Sequence, residues 1–118
     1  MRYYEILDER TVDGFSVVID KTYEDIDPWD QLSECFDDRK QLYADIDSGK
    51  YDWFMLRVRA FFGGHEVGCS YLGGCLYMNP EDVLKDGTVE DQLITVLAEA
   101  EAELARMREM IEGRFERA

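Results

Sequence analysis

The fold is decided by residues 51–77, which read YDWFMLRVRAFFGGHEVGCSYLGGCLY. The first half of this segment has the period of two that is typical of a β-strand. One face of the strand would carry Phe54, Leu56, Val58, Ala60 and Phe62, and the other would carry Trp53, Met55, Arg57, Arg59 and Phe61. Gly63-Gly64 supplies the positive φ angles of a tight turn, and residues 66–78 return as a second strand. The segment therefore predicts a central β-hairpin.

A second hairpin is predicted nearer the N-terminus. Asp13-Gly14 lies between two apolar runs, and this dipeptide is a strong turn signal. The strand before it would span residues 3–11, and the strand after it would span residues 15–23, where β-branched residues are dense. One face of the second strand would carry Phe15, Val17, Ile19 and Tyr23.

Residues 24–47 change to a helical character. Pro28 suits the first turn of a helix, and the residue before a proline disfavours helical geometry, so we expect a loop that ends there and a helix that begins at Pro28. The inward positions of this helix would be Leu32, Cys35 and Phe36. Residues 37–47 show a second helical pattern, which Gly49 ends. Its apolar positions are Leu42, Tyr43 and Ile46. The pattern leaves open whether residues 28–47 form one helix or a loop followed by a helix.

Two more helices are predicted after the central hairpin. Asn79 and Pro80 mark the start of a short one that Gly87 ends. Thr88, with Asp91 three residues later, opens the longest helix. Its apolar residues recur at spacings of three and four, at Leu93, Val96, Leu97, Ala100, Leu104, Met107, Ile111 and Phe115. We expect this stripe to lie across the sheet.

Together these elements predict a single α+β domain over residues 1–118, in the order β-β-α-β-β-α-α. Its centre would be a four-stranded antiparallel sheet made of the two hairpins, with the helices on one face. The opposite face would carry an aromatic and basic set that includes Trp53, Arg57 and Phe61. That face would serve as a second interface, or the N-terminal segment or a second copy of the chain would cover it.

The net charge of −14 limits the partners of the chain. A protein this acidic is repelled by nucleic acid and by anionic membranes, so we expect no direct binding to either and expect basic protein surfaces as partners.

No run of about eighteen apolar residues occurs, and residues 1–5 lack the apolar core of a signal peptide. The three cysteines are an odd number at spacings typical of reduced thiols. We therefore expect a cytoplasmic protein.

No residue pattern indicates catalysis. His65 and Cys69 are four residues apart on a strand and would be separated by about 13 Å, too far for proton transfer. The cysteines lack the paired spacing of zinc sites, and residues 45–56 lack the glycine and glutamate of a calcium loop. Gly73-Gly74 has no phosphate-loop pattern and predicts a bulge or a close backbone approach. We predict a non-enzymatic protein without catalytic residues, metal or cofactor.

The acidic residues of the first third of the chain suggest a partner-binding surface. The candidate residues are Asp20, Glu24, Asp25, Asp27, Trp29, Asp30, Glu34, Asp37 and Asp38. Carboxylates spaced in this way would imitate a row of phosphates and compete with nucleic acid for a basic groove. Trp29 would be the aromatic anchor of this surface. The competing interpretation is a solvated acidic face that serves only solubility.

Two segments of the chain resemble a group of small proteins encoded by phages and prophages. One segment is DSGKYDWF at residues 47–54, and the other is GHEVGCSYLGGC at residues 64–75. The Ala/Glu-rich terminal helix is also similar, and the likeness covers residues 45–104. The resemblance implies a mobile-element protein in the cytoplasm of a bacterial host, where small acidic accessory proteins act as anti-restriction or anti-CRISPR inhibitors. It brings no catalytic residues.

We therefore predict an accessory protein that binds and inhibits a host nucleic-acid-handling defence complex, a protein or ribonucleoprotein with a basic surface. Two alternatives remain open. A small-molecule-binding domain or small enzyme would use a pocket near His65, Tyr71 and Tyr77, on the Gly-rich strand. A self-associating protein would form a homodimer through the Trp53 face of the sheet or through the terminal helix.

Overall fold

A computed structural model describes residues 3–31 and 39–116 of the chain, with the side chains of all of these except residues 30, 31 and 114–116. Its strands and α-helices are β1 (Glu5–Val12), β2 (Phe15–Tyr23), α1 (Pro28–Gln31), α2 (Arg39–Asp47), β3 (Asp52–Phe62), β4 (His65–Tyr77) and α3 (Thr88–Glu116). A 3₁₀ helix spans Pro80–Leu84, between β4 and α3.

The four strands form one antiparallel sheet in the order β1-β2-β3-β4. Two-residue turns close its two hairpins, at Asp13-Gly14 and at Gly63-Gly64, and each turn residue has the positive φ that such turns require. β2 and β3 pair in the middle of the sheet, where Ile19 lies opposite Val58. The predicted α+β class and the four-stranded antiparallel sheet are confirmed.

One face of the sheet holds the hydrophobic core, and α3 covers it. Alternating residues of β2 and β3 are buried there, as predicted: Phe15, Val17, Ile19, Phe54, Leu56, Val58 and Ala60. The helices contribute Val83, Val89, Leu93, Val96 and Ala100. Because successive side chains of a strand point to opposite faces, this core uses only one face of the central strands.

α3 approaches β4 closely at Gly68. A Cβ atom at this position would lie 2.5 Å from the carbonyl oxygen of Val96 and 3.3 Å from its Cγ1. Gly68 lies opposite Ala60 in β3, so two small residues meet the helix where it comes nearest to the sheet. Since the atom in the way belongs to the helix backbone, glycine is required at this contact.

Two residues that were predicted for the core face are largely in solvent. Tyr23 is 57% exposed and Phe62 is 49% exposed, and each is the last residue of its strand, where the core face meets water. Asp20 and Thr22, from the opposite face of β2, are buried instead. The second face of the sheet is therefore partly covered as well.

α3 is longer than the sheet that supports it. At ~1.5 Å per residue, its 29 residues span about 43 Å. Among the side chains of α3 that the structure describes, the fully buried ones lie between Val89 and Ala100, and Leu104 is the last that packs against the core. Residues 105–116, called the overhang below, extend farther. The predicted apolar stripe is thus confirmed in its first part, whereas Ile111 is 55% exposed.

The helical region between the hairpins agrees with its predicted limits. α1 begins at Pro28, and α2 ends before Gly49, whose φ of 86° is typical of a helix C-terminal cap. None of the predicted apolar positions of α2 is fully buried, namely Leu42, Tyr43 and Ile46. Three predicted inward positions lie outside the described residues, namely Leu32, Cys35 and Phe36. That all helices share one face of the sheet stays a prediction for α1 and α2.

The length of α3 does not make it a membrane helix. Within residues 3–31 and 39–116, no helix combines the length and the apolar character that crossing a membrane requires. Acidic residues interrupt the first part of α3, and arginines interrupt the rest.

The close approach at Gly68 gives a stability prediction. Gly68→Ala should lower the free energy of unfolding by about 1–3 kcal/mol, because the added methyl group overlaps the backbone of α3. Gly113→Ala is the matched control, since a Cβ there meets nothing within 4 Å. It should raise the free energy of unfolding by ~0.5–1 kcal/mol, as glycine is unfavourable within a helix. Urea unfolding followed by circular dichroism measures both changes, and equal effects would contradict the close contact.

Candidate functional site

Asp20, a predicted partner-binding residue, lies inside the protein. Its side chain is 1% exposed. The Arg57 guanidinium donates to both carboxylate oxygens, from Nε to Oδ1 at 2.8 Å and from Nη2 to Oδ2 at 2.6 Å. Nη2 of Arg59 also donates to Oδ2, at 3.3 Å. A carboxylate held in this way cannot contact an external partner, so the prediction that Asp20 belongs to an exposed acidic surface is wrong.

The ion pair lies on the second face of the sheet, beneath the N-terminal segment. The Tyr4 ring lies over the Arg57 guanidinium, with 3.5 Å between the guanidinium carbon and the ring centroid, in a cation–π contact. The hydrogen bond to Asp20 raises the pKa of Arg57, although burial acts in the opposite direction. The Thr22 hydroxyl donates to the carbonyl oxygen of Tyr3 at 2.6 Å. The chain's own N-terminal segment thus covers part of this face.

Glu24 binds the bulge at Gly73-Gly74. The register of the β3–β4 pair shifts between Phe54 and Leu56, where β4 carries one residue more than β3. Gly74 has a φ of 67°, and its N–H donates to Glu24 Oε2 at 2.9 Å. A Cβ at Gly73 would lie 2.6 Å from the same oxygen. The predicted bulge is confirmed. The Glu24 carboxylate approaches it closely and accepts a hydrogen bond from it.

Asp27 and Trp29 also make contacts within the chain. Asp27 Oδ1 accepts from the Trp29 backbone N–H at 2.9 Å and so caps the first turn of α1. The Arg39 guanidinium lies over the Trp29 ring, at 3.8 Å from its centroid, and the Tyr43 ring meets it edge-on at 5.6 Å. Side chains of α2 therefore already pack against part of the Trp29 ring, which was the predicted aromatic anchor.

Of the remaining residues of the predicted acidic row, two lie in the part of the chain that the structure describes and three do not. Asp25 is exposed, and Asp30 belongs to α1. Glu34, Asp37 and Asp38 lie outside the described residues. The partner-binding role of these residues stays a prediction.

A different acidic surface runs along the first part of α3. No lysine or arginine occurs between Lys85 and Arg106. This interval carries six carboxylates, called the acidic tract below, at Asp86, Glu90, Asp91, Glu99, Glu101 and Glu103. All of them are exposed except Glu103, which is partly buried. Asp91 and Glu101 form no ion pair with any described residue, so their charges are directed to solvent.

Four carboxylates of the acidic tract make contacts within the described chain. Glu90 lies 3.9 Å from the Arg10 guanidinium of β1, and Glu103 pairs with Arg106 of the same helix. Glu99 accepts from the backbone N–H of Cys69, on β4, at 3.2 Å. Asp86 accepts from the backbone N–H of Thr88 at 3.0 Å, at the start of α3. Hydrogen bonds from Thr88 and Tyr77 lower the pKa of Asp86, which keeps it charged. Among the described residues, the acidic tract therefore contacts the sheet at Glu90, at Glu99 and, through the Tyr77 hydroxyl, at Asp86.

The thiols of Cys69 and Cys75 are not activated. Burial raises the pKa of the Cys75 thiol to about 11, and burial also raises the pKa of the Cys69 thiol. The thiolate is the nucleophilic form of cysteine, so both groups are poor nucleophiles at neutral pH. Among residues 3–31 and 39–116, no three His, Cys, Asp or Glu side chains are placed to hold a metal ion.

Open grooves lie along the edges of the structure. One of about 550 Å³ lies between the start of β4 and α3 and is lined by Glu66, Val67, Gly68, Cys69, Glu99, Ala102, Glu103 and Arg106. The predicted ligand pocket would instead be lined by His65, Tyr71 and Tyr77. The groove between β4 and α3 is lined by none of these three residues, although it lies on β4, which is the Gly-rich strand of that alternative. The small-molecule alternative stays a prediction.

No protein-family model, no curated protein and no solved structure matches the chain. The resemblance to phage and prophage proteins therefore stays a hypothesis. The function has to be argued from the charge and geometry of the described surfaces.

The buried ion pair gives a second stability prediction. Asp20→Asn should lower the free energy of unfolding by about 3 kcal/mol, because it leaves two partly buried guanidinium groups without their carboxylate. Asp91→Asn is the control, since an exposed carboxylate without an ion pair should change stability by less than ~0.5 kcal/mol. Urea unfolding measures both variants. Similar small changes for the two would show that the Asp20 pair contributes little.

The contact between Glu24 and the bulge gives a third prediction. Glu24→Ala should lower the free energy of unfolding by about 1 kcal/mol and speed hydrogen exchange of the Gly74 amide, because that N–H loses its acceptor. Glu24→Gln keeps a side-chain oxygen and should preserve most of the protection. Amide exchange followed by NMR measures the difference. Unchanged exchange at Gly74 in the alanine variant would contradict the contact.

Proposed function

We propose that the chain is a non-enzymatic accessory protein of the phage type, which binds and inhibits a host nucleic-acid-handling defence complex. In this proposal the binding surface is the acidic tract of α3, and the partner is a protein or ribonucleoprotein with a basic groove. The residues predicted near Asp25 form a second, smaller patch whose part in binding the experiment below tests.

The observation that carries this proposal is a length of exposed helix that bears carboxylates and no lysine or arginine of its own. Cations meet it only near its two ends, where Arg10 lies 3.9 Å from Glu90 and Arg106 pairs with Glu103 among the described residues.

From Glu90 to Glu103 the helix rises by about 20 Å, at ~1.5 Å per residue. Asp91 lies near the start of this distance, and Glu99 and Glu101 lie in its last third. Such a row of like charges attracts a basic groove over a long range and speeds association.

The support beneath the acidic tract favours a binding role over a merely solubilising one. Val89, Val96 and Ala100 are fully buried on the opposite side of the same helical turns. The carboxylates are therefore displayed on a rigid element, and binding through them costs little conformational entropy. Solubility alone requires acidic residues anywhere on the surface, and it does not require them on the best-packed part of a helix.

The nature of the partner follows from the net charge of −14. A surface of this sign is repelled by the phosphates of DNA and RNA, so the ligand is the protein that normally holds those phosphates. Occupation of its basic groove by the acidic tract would exclude the nucleic acid. Inhibition by competition needs no catalytic group.

The proposal predicts a salt-sensitive partner that depends on the acidic tract. The tagged protein is used to capture partners from a bacterial host lysate, and the bound fraction is eluted with rising salt and, separately, with competing DNA or RNA. Asp91→Lys combined with Glu101→Lys should weaken capture by about tenfold, or ~0.7 kcal/mol for each lost ion pair. Neither residue has an ion pair within the described chain, so the fold should be unaffected.

Two further double variants show which part of the surface is responsible for the capture. Glu9→Lys combined with Asp47→Lys changes the net charge by the same amount at exposed sites away from α3, and it should leave capture nearly unchanged. Asp25→Lys combined with Asp38→Lys tests the patch predicted from the sequence. Equal losses from all three pairs would mean that only total charge matters. Capture that resists salt and nucleic acid would contradict competition for a basic groove.

A further inference from the structure

The groove of about 550 Å³ between β4 and α3 combines apolar residues with carboxylates from two elements. The apolar part of its lining includes Val67, Gly68 and Ala102. Glu66 comes from β4, whereas Glu99 and Glu103 come from α3. From this combination we propose that the groove binds the arginine side chain of a partner protein. The site goes beyond the function proposed above and does not depend on it, because an arginine from any protein could occupy it.

The apolar part of the lining follows from the close contact between α3 and β4. Gly68 has no side chain, since a Cβ there would lie 2.5 Å from a carbonyl oxygen of the helix. Ala102 is exposed, and its side chain is a single methyl group. Small residues on both elements therefore leave room along the edge of the sheet. Such a surface suits the methylene stem of a long side chain, which packs its carbon atoms while its charged end reaches polar atoms.

The donors that line the groove already have acceptors within the chain. The N–H of Cys69 donates to Glu99 at 3.2 Å. The Arg106 guanidinium, at the start of the overhang, donates from Nε and Nη2 to Glu103 and from Nη1 to the Met110 sulfur. A ligand therefore has to bring donors of its own. An anion such as phosphate would instead meet three carboxylates and is excluded by their charge.

Two of the three carboxylates can accept further hydrogen bonds. Glu99 accepts the Cys69 N–H through Oε2, and its Oε1 has no hydrogen bond to a described residue. Glu66 is 48% exposed, and its ion pair within the described chain is with Nη1 of Arg59 at 3.9 Å. That separation is too long for a hydrogen bond. The groove thus offers acceptors on the strand side and on the helix side.

The chain's own Arg106 is a precedent for a guanidinium on this side of α3. It donates to both carboxylate oxygens of Glu103, three residues before it. Glu99 lies one helical turn before Glu103, so the two side chains lie on the same face of the helix. No lysine or arginine occurs three or four positions from Glu99. An arginine from outside would therefore provide at Glu99 what Arg106 provides at Glu103.

The shape of the guanidinium favours arginine over lysine. Its planar group carries several N–H donors in fixed directions, and it can bridge acceptors on two elements such as Glu66 and Glu99. A lysine ammonium is a single point of charge and lacks this geometry. A side chain also fits the groove better than an incoming strand, because Glu99 already accepts the backbone N–H of Cys69 that a strand would need.

The first experiment titrates the full-length, isotope-labelled protein with the peptide acetyl-Gly-Arg-Gly-amide at low salt and follows the amide signals by NMR. We expect saturable shifts of the signals of Gly68, Cys69 and Ala102. The matching lysine peptide should bind at least about threefold more weakly. Shifts confined to other parts of the surface would overturn the proposal. Equal binding of the lysine peptide would overturn it as well.

Charge variants locate the site. Glu66→Gln combined with Glu99→Gln should raise the dissociation constant of the arginine peptide about fivefold, because two ion pairs are lost. Glutamine at position 99 keeps an acceptor for the Cys69 N–H. Glu9→Gln combined with Glu81→Gln is the matched control, since both glutamates are exposed and neither lines the groove. It should change the constant by less than about twofold. Equal weakening by both pairs would mean that only total charge matters, against the proposal.

A variant that keeps the charge tests the shape of the groove. Ala102→Trp should weaken binding of the arginine peptide at least about fivefold, because the indole would fill the space that the arginine stem needs. Ala98→Trp places the same side chain on an exposed position of α3 outside the groove and should leave binding unchanged. Circular dichroism checks that both variants are folded. Unchanged binding in Ala102→Trp would contradict the site.

The peptide titration and the capture experiment can fail separately. Binding of the arginine peptide without capture of a host complex would leave this site in place and remove the proposed function. Capture that depends on Asp91 and Glu101, without binding of the peptide at Gly68 and Cys69, would keep the acidic tract and overturn the arginine site.

Discussion

Residues 24–51 separate β2 from β3, so no short turn sets the register of the two central strands. Within each hairpin a two-residue turn performs that task, but the junction between the hairpins needs another device. Asp20 lies directly opposite Arg57 in this pairing. If the register of β2 against β3 shifted by one residue, Asp20 and Arg57 would lose each other as partners, at a cost of ~3–5 kcal/mol. The apolar residues of β2 would also turn away from α3. We interpret the ion pair as the contact that selects this register.

Local rules made most of the fold predictable from the sequence. Turn residues with positive φ, the period of two in the strands and the cap residues of the helices each act over a few neighbours, and both hairpins followed from them. The burial of Asp20 was missed because its cause, Arg57, is distant in the sequence and meets it only across the junction of the hairpins. The exposure of Ile111 was missed for a related reason, since an apolar stripe does not report what covers it.

The candidate site was harder to predict than the fold because a carboxylate's availability depends on the donors that folding brings to it. Glu24 and Asp27 belong to one acidic run in the sequence, yet one binds a bulge in β4 and the other caps α1. Asp91 and Glu101, on a helix whose alanines and glutamates look unremarkable, point to solvent without an ion pair to any described residue. The spacing of acidic residues along the sequence could not distinguish the carboxylates that are bound within the chain from those that face solvent. That spacing contains no information on the bulge that Glu24 binds or on the helix start that Asp27 caps.

The carboxylates that bind β4 also limit how any partner can attach. β4 is an edge strand, and edge strands offer their free N–H and C=O groups to an incoming strand. Glu99 occupies the N–H of Cys69, and Glu24 occupies the N–H of Gly74. Recognition by β-augmentation, in which a foreign strand extends the sheet, would have to displace both carboxylates. The two carboxylates therefore protect this edge of the sheet against sheet-to-sheet aggregation at these two positions.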